Sequence, residues 1–134
     1  MNLQKNIQGF TFIELAVVIF ILGLLAGVGI PAYNKVREKA RVTKTRANLQ
    51  AINSFLEAYQ MDTGKYPKTL EALVTDIEKA AGWDGPYLKG KGVPTDGWNN
   101  EFKYSVDPKN PAGYVLYSMG PKGEEASREE WIEE

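Results

Sequence analysis

An apolar stretch near the N-terminus, residues 10–30, contains a single charged residue, Glu14. As an α-helix this stretch would extend about 31 Å at ~1.5 Å per residue, which matches the hydrocarbon core of a bilayer. A chain of 134 residues has too little remaining sequence to bury such a helix on all sides. The stretch therefore predicts a membrane-spanning helix rather than the core helix of a soluble domain.

The composition argues against an enzyme. The chain contains no cysteine and no histidine, which excludes disulfide bonds, thiol nucleophiles and histidine bases. The serines lie in no nucleophile-elbow context. The net charge of −1 indicates no particular partner.

The residues at the start of the apolar stretch, GFTFIEL, form a specific pattern. Gly9 precedes Phe10, Glu14 follows four residues later, and the short polar segment 1–9 contains Lys5. The pattern resembles the prepilin-peptidase site of type IV pilins and pseudopilins, although Phe12 stands where leucine is usual. The resemblance implies that residues 1–9 are a leader cleaved after Gly9 and that the new amine of Phe10 is N-methylated.

The resemblance also suggests why a membrane segment carries Glu14. A carboxylate within a bilayer costs roughly 2.5–3.5 kcal/mol on insertion scales. In a helical filament, the cationic amine of Phe10 on one subunit could pair with Glu14 of its neighbour, which would set the axial register and help draw subunits out of the lipid. The alternative is that Glu14 lies at the membrane interface and is simply solvated.

The distribution of positive charges disagrees with the membrane orientation that the cleavage pattern requires, in which the leader lies in the cytoplasm. Lys5 precedes the span, whereas four basic residues follow it within residues 35–41, and charge alone would place the N-terminus outside. The cleavage pattern requires a cytoplasmic leader, so we give it precedence. The resulting prediction is a single-pass inner-membrane protein with its head in the periplasm.

Small residues crowd the end of the predicted span, which we place at residues 10–31. Gly23 and Gly27 form a small-xxx-small face that allows close helix packing. Pro31 removes one backbone donor and disfavours helix at Ile30. We therefore predict a bend or a locally melted stretch at residues 27–31 that assists filament packing, or alternatively a routine kink at the membrane boundary.

Residues 32–62 predict an amphipathic stem helix that ends near Gln60, with Gly64 in its C-cap region and Pro67 unable to continue it. Its first half carries six basic residues, at positions 35–46, against Glu38. Apolar or small residues recur at spacings of three and four: Val36, Ala40, Thr43, Ala47, then Leu49, Ile52, Leu56 and Tyr59, with Phe55 beside them.

Residues 63–134 predict a small globular head. A short helix is expected from about Thr69 to Gly82, with Leu70, Leu73, Val74 and Ile77 on one face. A Gly- and Pro-rich loop follows, in which Trp83, Tyr87 and Trp98 are expected to pack on the core. Residues 101–106 and 114–119 predict an antiparallel hairpin around a turn at 107–113, lying on the C-terminal half of the long helix.

The head motifs extend the resemblance to nearly the whole chain. TGKYP, YLKG, PTDGWNNEFKY and YVLYSMGPKG are similar in order and spacing to those of major pseudopilins of type II secretion systems. The resemblance implies an α+β, type IV pilin-like fold, with a long N-terminal helix packed on a small antiparallel sheet. It also implies a subunit that, after leader cleavage and N-methylation, polymerises into a periplasmic pseudopilus that drives protein secretion.

The partners implied are further copies of the chain, other pseudopilins, the inner-membrane assembly platform, the prepilin peptidase and the membrane itself. An alternative is a type IV pilin of a surface filament for adhesion or motility, but such heads usually carry a disulfide. A membrane-anchored nucleic-acid-binding module would use the basic residues at 35–46 to grip phosphate. Because that stretch lacks interleaved aromatics and adjoins the membrane, we expect no nucleic acid.

Major pseudopilins commonly bind calcium in the loop after the last strand, and the matching stretch here departs from that pattern. Lys122 stands where an aspartate ligand is expected, whereas calcium requires six to eight oxygen ligands. We therefore predict no metal, with Glu124 and Glu125 as the remaining candidates for calcium. Trp131 predicts that the acidic tail docks on the head.

Overall fold

The computed structural model describes residues 9–90, 92–107 and 110–133. Residues 1–8 of the predicted leader therefore lie outside the described residues, as does the side chain of Pro31. The chain divides into two compact units, Met1–Glu38 and Lys39–Glu134, which are described separately.

The elements follow the predicted order of a long helix, a small head and an antiparallel hairpin. Helix α1 is Phe12–Thr63, and a short 3-10 helix, Leu70–Leu73, comes next. Strands β1 (Lys103–Asp107) and β2 (Asn110–Tyr117) form a two-stranded antiparallel sheet. Two further 3-10 helices, Gly120–Glu125 and Arg128–Glu130, complete the described chain.

In the first unit, α1 is long and apolar enough to cross a membrane. The apolar segment of this helix is not buried by any other described part of the chain. The alternative of a buried core helix is therefore wrong. Residues 27–31, for which we predicted a bend or melted stretch, are helical. Membrane helices tolerate glycine and proline, so the melted stretch is wrong for the single chain and remains a prediction only for the filament.

In the second unit, α1 supplies one wall of the head core. Leu49, Ile52 and Leu56 are buried, as is Tyr59, which confirms the predicted stripe. The apolar or small residues in the first half of the stem, here called the upper stripe, are different because all four are exposed: Val36, Ala40, Thr43 and Ala47. The remaining core comes from the head itself: Leu70, Ala72, Leu73, Leu88, Phe102 and Leu116. Trp83 and Tyr87 pack against it as predicted, whereas Trp98 is half-buried and is not part of this cluster.

The helix ends where the glycine predicts. The N–H of Gly64 donates to Gln60 O at 2.8 Å, and Gly64 has φ +79°, a left-handed conformation that side chains disfavour. The last helical residue is Thr63, one position beyond the predicted boundary.

The predicted helix over residues 69–82 is wrong beyond its first turn. The 3-10 helix stops at Leu73, and Ile77, expected on the buried face, is 55% exposed. An α-helix would require Leu73 O to accept from the N–H of Ile77. Instead it accepts from Tyr87 and Leu88, at 2.8 and 3.0 Å. The long-range bonds to the following loop replace the helical one.

The hairpin is confirmed, with Tyr104 opposite Leu116 and Val106 opposite Tyr114. Strand β2 begins at Asn110, so its first residues were wrongly predicted as turn. Proline and glycine indicate a turn locally, yet both are tolerated in edge strands, and in a two-stranded sheet each strand is an edge. Tyr114 Oη donates to Asn53 Oδ1 at 2.9 Å, which fastens the hairpin to the C-terminal half of α1 as predicted.

Candidate functional site

The N-terminus of α1 is closed by a pair of side chains, Thr11 and Glu14. The backbone N–H and the hydroxyl of Thr11 both donate to Glu14 Oε2, each at 2.8 Å. In return, the N–H of Glu14 donates to Thr11 Oγ1 at 3.3 Å. This is a capping box, which satisfies backbone donors that a helix start leaves without intrahelical partners.

The capping box was missed by our sequence reasoning, although the order Thr-x-x-Glu before an apolar run is its signature. Its effect is to give Glu14 a local partner within one chain. Both hydrogen bonds that Thr11 donates are accepted by Oε2 of Glu14, and among the described residues no donor reaches Oε1. The carboxylate is therefore oriented by Thr11 while one oxygen stays available to a second cation or donor.

The residues of the predicted cleavage and packing sites are exposed in the single chain. Gly9 and Phe10 precede the helix, and Phe10 is 87% exposed. A Cβ built on Gly9, Gly23 or Gly27 would meet nothing within 4 Å. The chain itself therefore imposes no need for glycine at these positions, so any such need comes from a partner such as a protease or a neighbouring helix.

A second constellation, also missed from sequence, centres on the buried side chain of Asp96. Its Oδ1 accepts from the N–H groups of Trp98 and Asn100, at 2.9 and 2.8 Å, and its Oδ2 accepts from Ser118 Oγ at 2.7 Å. The Ser118 hydroxyl in turn accepts from the N–H of Gly120. Asp96 thereby joins the loop before β1 to the segment after β2. An Asp that bonds its own backbone two residues on is a recognisable Asx turn, but the link to Ser118 has no local signal.

The same loop is pressed against the stem helix. A Cβ on Gly97 would lie 2.3 Å from Arg41 O, so only glycine allows this approach. The N–H of Gly97 donates to the buried Thr45 Oγ1 at 2.9 Å, and Asn48 Nδ2 donates to Thr95 O at 2.8 Å. These contacts dock the loop onto residues 41–48 of α1, on the face opposite the exposed side chains of Val36 and Ala40.

The tail docks on the head, as Trp131 predicted. Its ring stacks on Tyr117 with centroids 4.0 Å apart and an interplanar angle of 12°. Ser118 and Ile132 exchange two backbone hydrogen bonds, of 3.0 and 2.8 Å. Within the tail, Ser127 and Glu130 form a second capping box.

The described residues of the loop after β2 do not bring the candidate calcium ligands together. Lys122 Nζ binds Glu130 Oε1, and the exposed Glu124 lies 4.0 Å from Lys103 Nζ. Within the described parts of the chain, no group of three or more Asp, Glu, His or Cys side chains converges as metal ligands would. An ammonium among the donors is unfavourable for a divalent cation. In the described structure, neither Glu124 nor Glu125 is brought together with other acidic side chains as a group that could hold a divalent cation.

The Lys122 contact also sets the electrostatics of the tail. The hydrogen bond from Lys122, aided by one from the N–H of Ser127, lowers the pKa of Glu130 below the usual 4.5. In the core, burial raises the pKa of Tyr104, whose hydroxyl donates to Pro67 O at 2.7 Å. The shift of Glu130 thus reflects hydrogen bonds within the tail, and that of Tyr104 reflects burial in the core.

Comparison with known proteins gives consistent matches. The profile of "Type II secretion system (T2SS), protein G" matches residues 33–132, and that of the "Prokaryotic N-terminal methylation motif" matches residues 4–30. The type II secretion system core protein G of Pseudomonas aeruginosa is 34% identical, with 91% of this chain and 89% of that protein covered. The Vibrio cholerae protein of the same name is 33% identical, with 93% and 88% covered.

A solved structure matches as well, that of the major pseudopilin from the type 2 secretion system of enterohaemorrhagic Escherichia coli. The TM-score is 0.55 at 25% identity, and the match covers 73% of this chain and 89% of that one. The predicted pilin-like α+β fold is thereby confirmed.

Proposed function

Because the chain belongs to the type II secretion system protein G family, we propose that it is the major pseudopilin of such a system: a structural subunit, not an enzyme, that polymerises into a periplasmic pseudopilus driving protein secretion. The observation that carries this proposal is the family match across residues 33–132, joined to a methylation motif at residues 4–30. The match to protein G favours secretion over the alternative of a surface pilus for adhesion or motility.

The proposal assigns a role to each part of the chain. Residues 1–9 are a leader that is removed after Gly9, residues 10–31 are the membrane anchor and later the filament core, residues 32–62 are the stem, and residues 63–134 are the periplasmic head. The exposed position of Gly9 supports the first assignment, because a peptidase can reach it. The unburied apolar segment of α1 supports the second.

For assembly, we propose that the methylated amine of Phe10 pairs with Glu14 of a neighbouring subunit. The capping box leaves Oε1 of Glu14 available, so the carboxylate can keep its bonds to Thr11 while accepting the amine. Gly23 and Gly27 would let neighbouring helices approach closely, since no side chain that the structure describes covers them. Pro31 would be the last residue of the membrane segment, directly before the stem.

The partners and location follow from the same proposal. The subunit waits in the inner membrane with its leader in the cytoplasm, is processed by a prepilin peptidase, and is added to a filament of further copies by an assembly platform. Other pseudopilins would join it. The membrane-anchored part of this proposal is supported by the apolar helix, and the remainder by the family.

A deletion strain tests the proposal. We expect it to lose a set of secreted proteins and to contain no short envelope filaments by electron microscopy of sheared cells, with both restored by the wild-type gene. Unchanged secretion together with loss of surface adhesion would instead favour the surface-pilus alternative.

A further inference from the structure

A groove on the head, about 360 Å³ in volume, plays no part in the site described above. Its lining is mostly apolar: Leu70, Val74, Ile77, Val93, Pro94 and Phe102. Ile77 is 55% exposed, so this large apolar side chain is left uncovered by its own chain. Of the described residues that line the groove, the charged ones are two carboxylates, Glu71 and Glu101. The groove is thus an apolar trough with negative charge at its border.

The upper stem, residues 36–47, carries positive charge beside an exposed stripe, whereas the groove carries negative charge. Its stripe of Val36, Ala40, Thr43 and Ala47 is exposed, and Val36 is 68% exposed. At about 100° per residue, cations flank this stripe on both sides. Lys39 and Arg46 lie on one side, and Arg37 and Lys44 lie on the other.

We propose that, in the filament, the groove of one subunit receives the upper stem, residues 36–47, of a second copy. The inference rests on the proposed function, because polymerisation is what brings a second stem to the head. Burial of Ile77 against the stripe would supply free energy, since removal of apolar surface from water is favourable. The carboxylates of Glu71 and Glu101 would meet the flanking cations and fix the orientation.

The acidic tail, residues 122–134, is the alternative surface that could bind the same stem. Glu124, Glu125 and Glu129 are exposed and match its charge. In the described part of the tail, however, no large apolar side chain is exposed, whereas the groove presents Ile77 beside its carboxylates. A surface that combines apolar area with charge matches the stem better than charge alone.

Cysteine crosslinking in living cells tests the contact, because the chain has no native cysteine. Two differently tagged copies would be co-expressed, one with Ala40→Cys and the other with Ile77→Cys, and oxidised in the membrane. We expect a disulfide-linked dimer that carries both tags. The matched control replaces Ile77→Cys with Val115→Cys, which lies on the outer face of β2 and is 48% exposed. That pair should give no dimer above background.

Charge reversal provides a second readout. Glu71→Lys with Glu101→Lys should lower the yield of the Ala40–Ile77 crosslink about fivefold, the loss expected for one or two exposed ion pairs. Glu71 and Glu101 are both exposed, so the head should still fold. Adding Lys39→Glu and Lys44→Glu to the stem-bearing copy should restore the yield.

Filaments and secretion would be measured in the same strains. If both are normal and the Ile77→Cys yield does not exceed the Val115→Cys control, the groove contact is wrong and the proposed function stands. A crosslink from Ala40→Cys to Glu125→Cys instead would also overturn it in favour of the tail. If the wild-type chain forms no filaments and its deletion leaves secretion intact, the proposed function fails, and this inference fails with it.

Discussion

Thr11 donates two hydrogen bonds to one carboxylate oxygen of Glu14, so the charge within the apolar helix is partly satisfied before any second subunit arrives. This relationship shows that Glu14 caps the helix within one chain. In the filament we propose, its other oxygen would also register neighbouring chains. The two roles respond differently to substitution.

We expect Glu14→Leu to be inserted, cleaved and stable in the membrane, yet absent from filaments and inactive in secretion. Insertion should become easier by roughly the 2.5–3.5 kcal/mol that the carboxylate cost. Glu14→Gln should also fail, because a neutral amide cannot compensate a buried ammonium. Glu14→Asp, which keeps the charge on a shorter arm, should be intermediate. Crosslinking between single cysteines on neighbouring stems, at equal membrane abundance, measures assembly.

Thr11→Ala is the matched control, because it removes the cap and keeps the carboxylate. The helix start should lose about 1 kcal/mol of stability, while filaments still form. If Thr11→Ala abolishes assembly as fully as Glu14→Leu, the capping role alone explains why assembly requires Glu14, and the registration role is wrong.

Processing is expected at Gly9. The intact mass of the membrane-extracted protein should correspond to a chain that begins at Phe10 and carries one added methyl group. Gly9→Val should retain residues 1–9. The structure leaves space for a side chain at Gly9, so a block in this variant would reflect the peptidase rather than misfolding. Normal cleavage of Gly9→Val would contradict the assigned site.

Asp96→Ala should destabilise the head by roughly 3–5 kcal/mol, since it leaves the donors from Trp98, Asn100 and Ser118 without their acceptor. Asp96→Asn should be milder because its amide oxygen can still accept. The exposed Asp84→Ala is the control and should stay within about 0.5 kcal/mol of wild type. Urea unfolding of the detergent-solubilised chain provides the measurement, and equal effects of Asp96→Ala and Asp84→Ala would refute the role of Asp96.

The tail should loosen in acid. The pKa of Glu130 is lowered in the folded chain, chiefly by the hydrogen bond from Lys122. The stabilisation it provides is therefore complete above the ordinary carboxyl value of 4.5 and is lost as pH falls through the lowered folded value. NMR shifts of the Ser118 and Ile132 amides should report this change. Glu130→Gln should abolish it, and the neighbouring Glu129→Gln should leave it in place.

Calcium should have little effect on the melting temperature of the chain, whether it is added or chelated. Lys122 already supplies a cation to Glu130, and the described carboxylates form no cluster that could hold a divalent ion. A stabilisation that saturates with calcium concentration, as linkage requires of a native-state ligand, would show that the tail glutamates do form a site.

The parts of the structure that were predictable from sequence depend on neighbours close along the chain. The length and apolarity of residues 10–30, the buried spacing of Leu49 to Tyr59 and the stop at Gly64 each follow from helix geometry and local backbone freedom. The strand at 103–107 follows from alternation. The Thr-x-x-Glu cap was equally local and could have been predicted.

The rest was decided by contacts between residues far apart in sequence. Residues 74–82 have a helical pattern, but the amides of Tyr87 and Leu88 take the carbonyl of Leu73 and end the helix. Asp96 becomes the centre of the head only because the fold places Ser118 beside its free oxygen. A local pattern cannot predict which distant donor will compete for a backbone or side-chain acceptor, because that depends on the packed arrangement of the whole head.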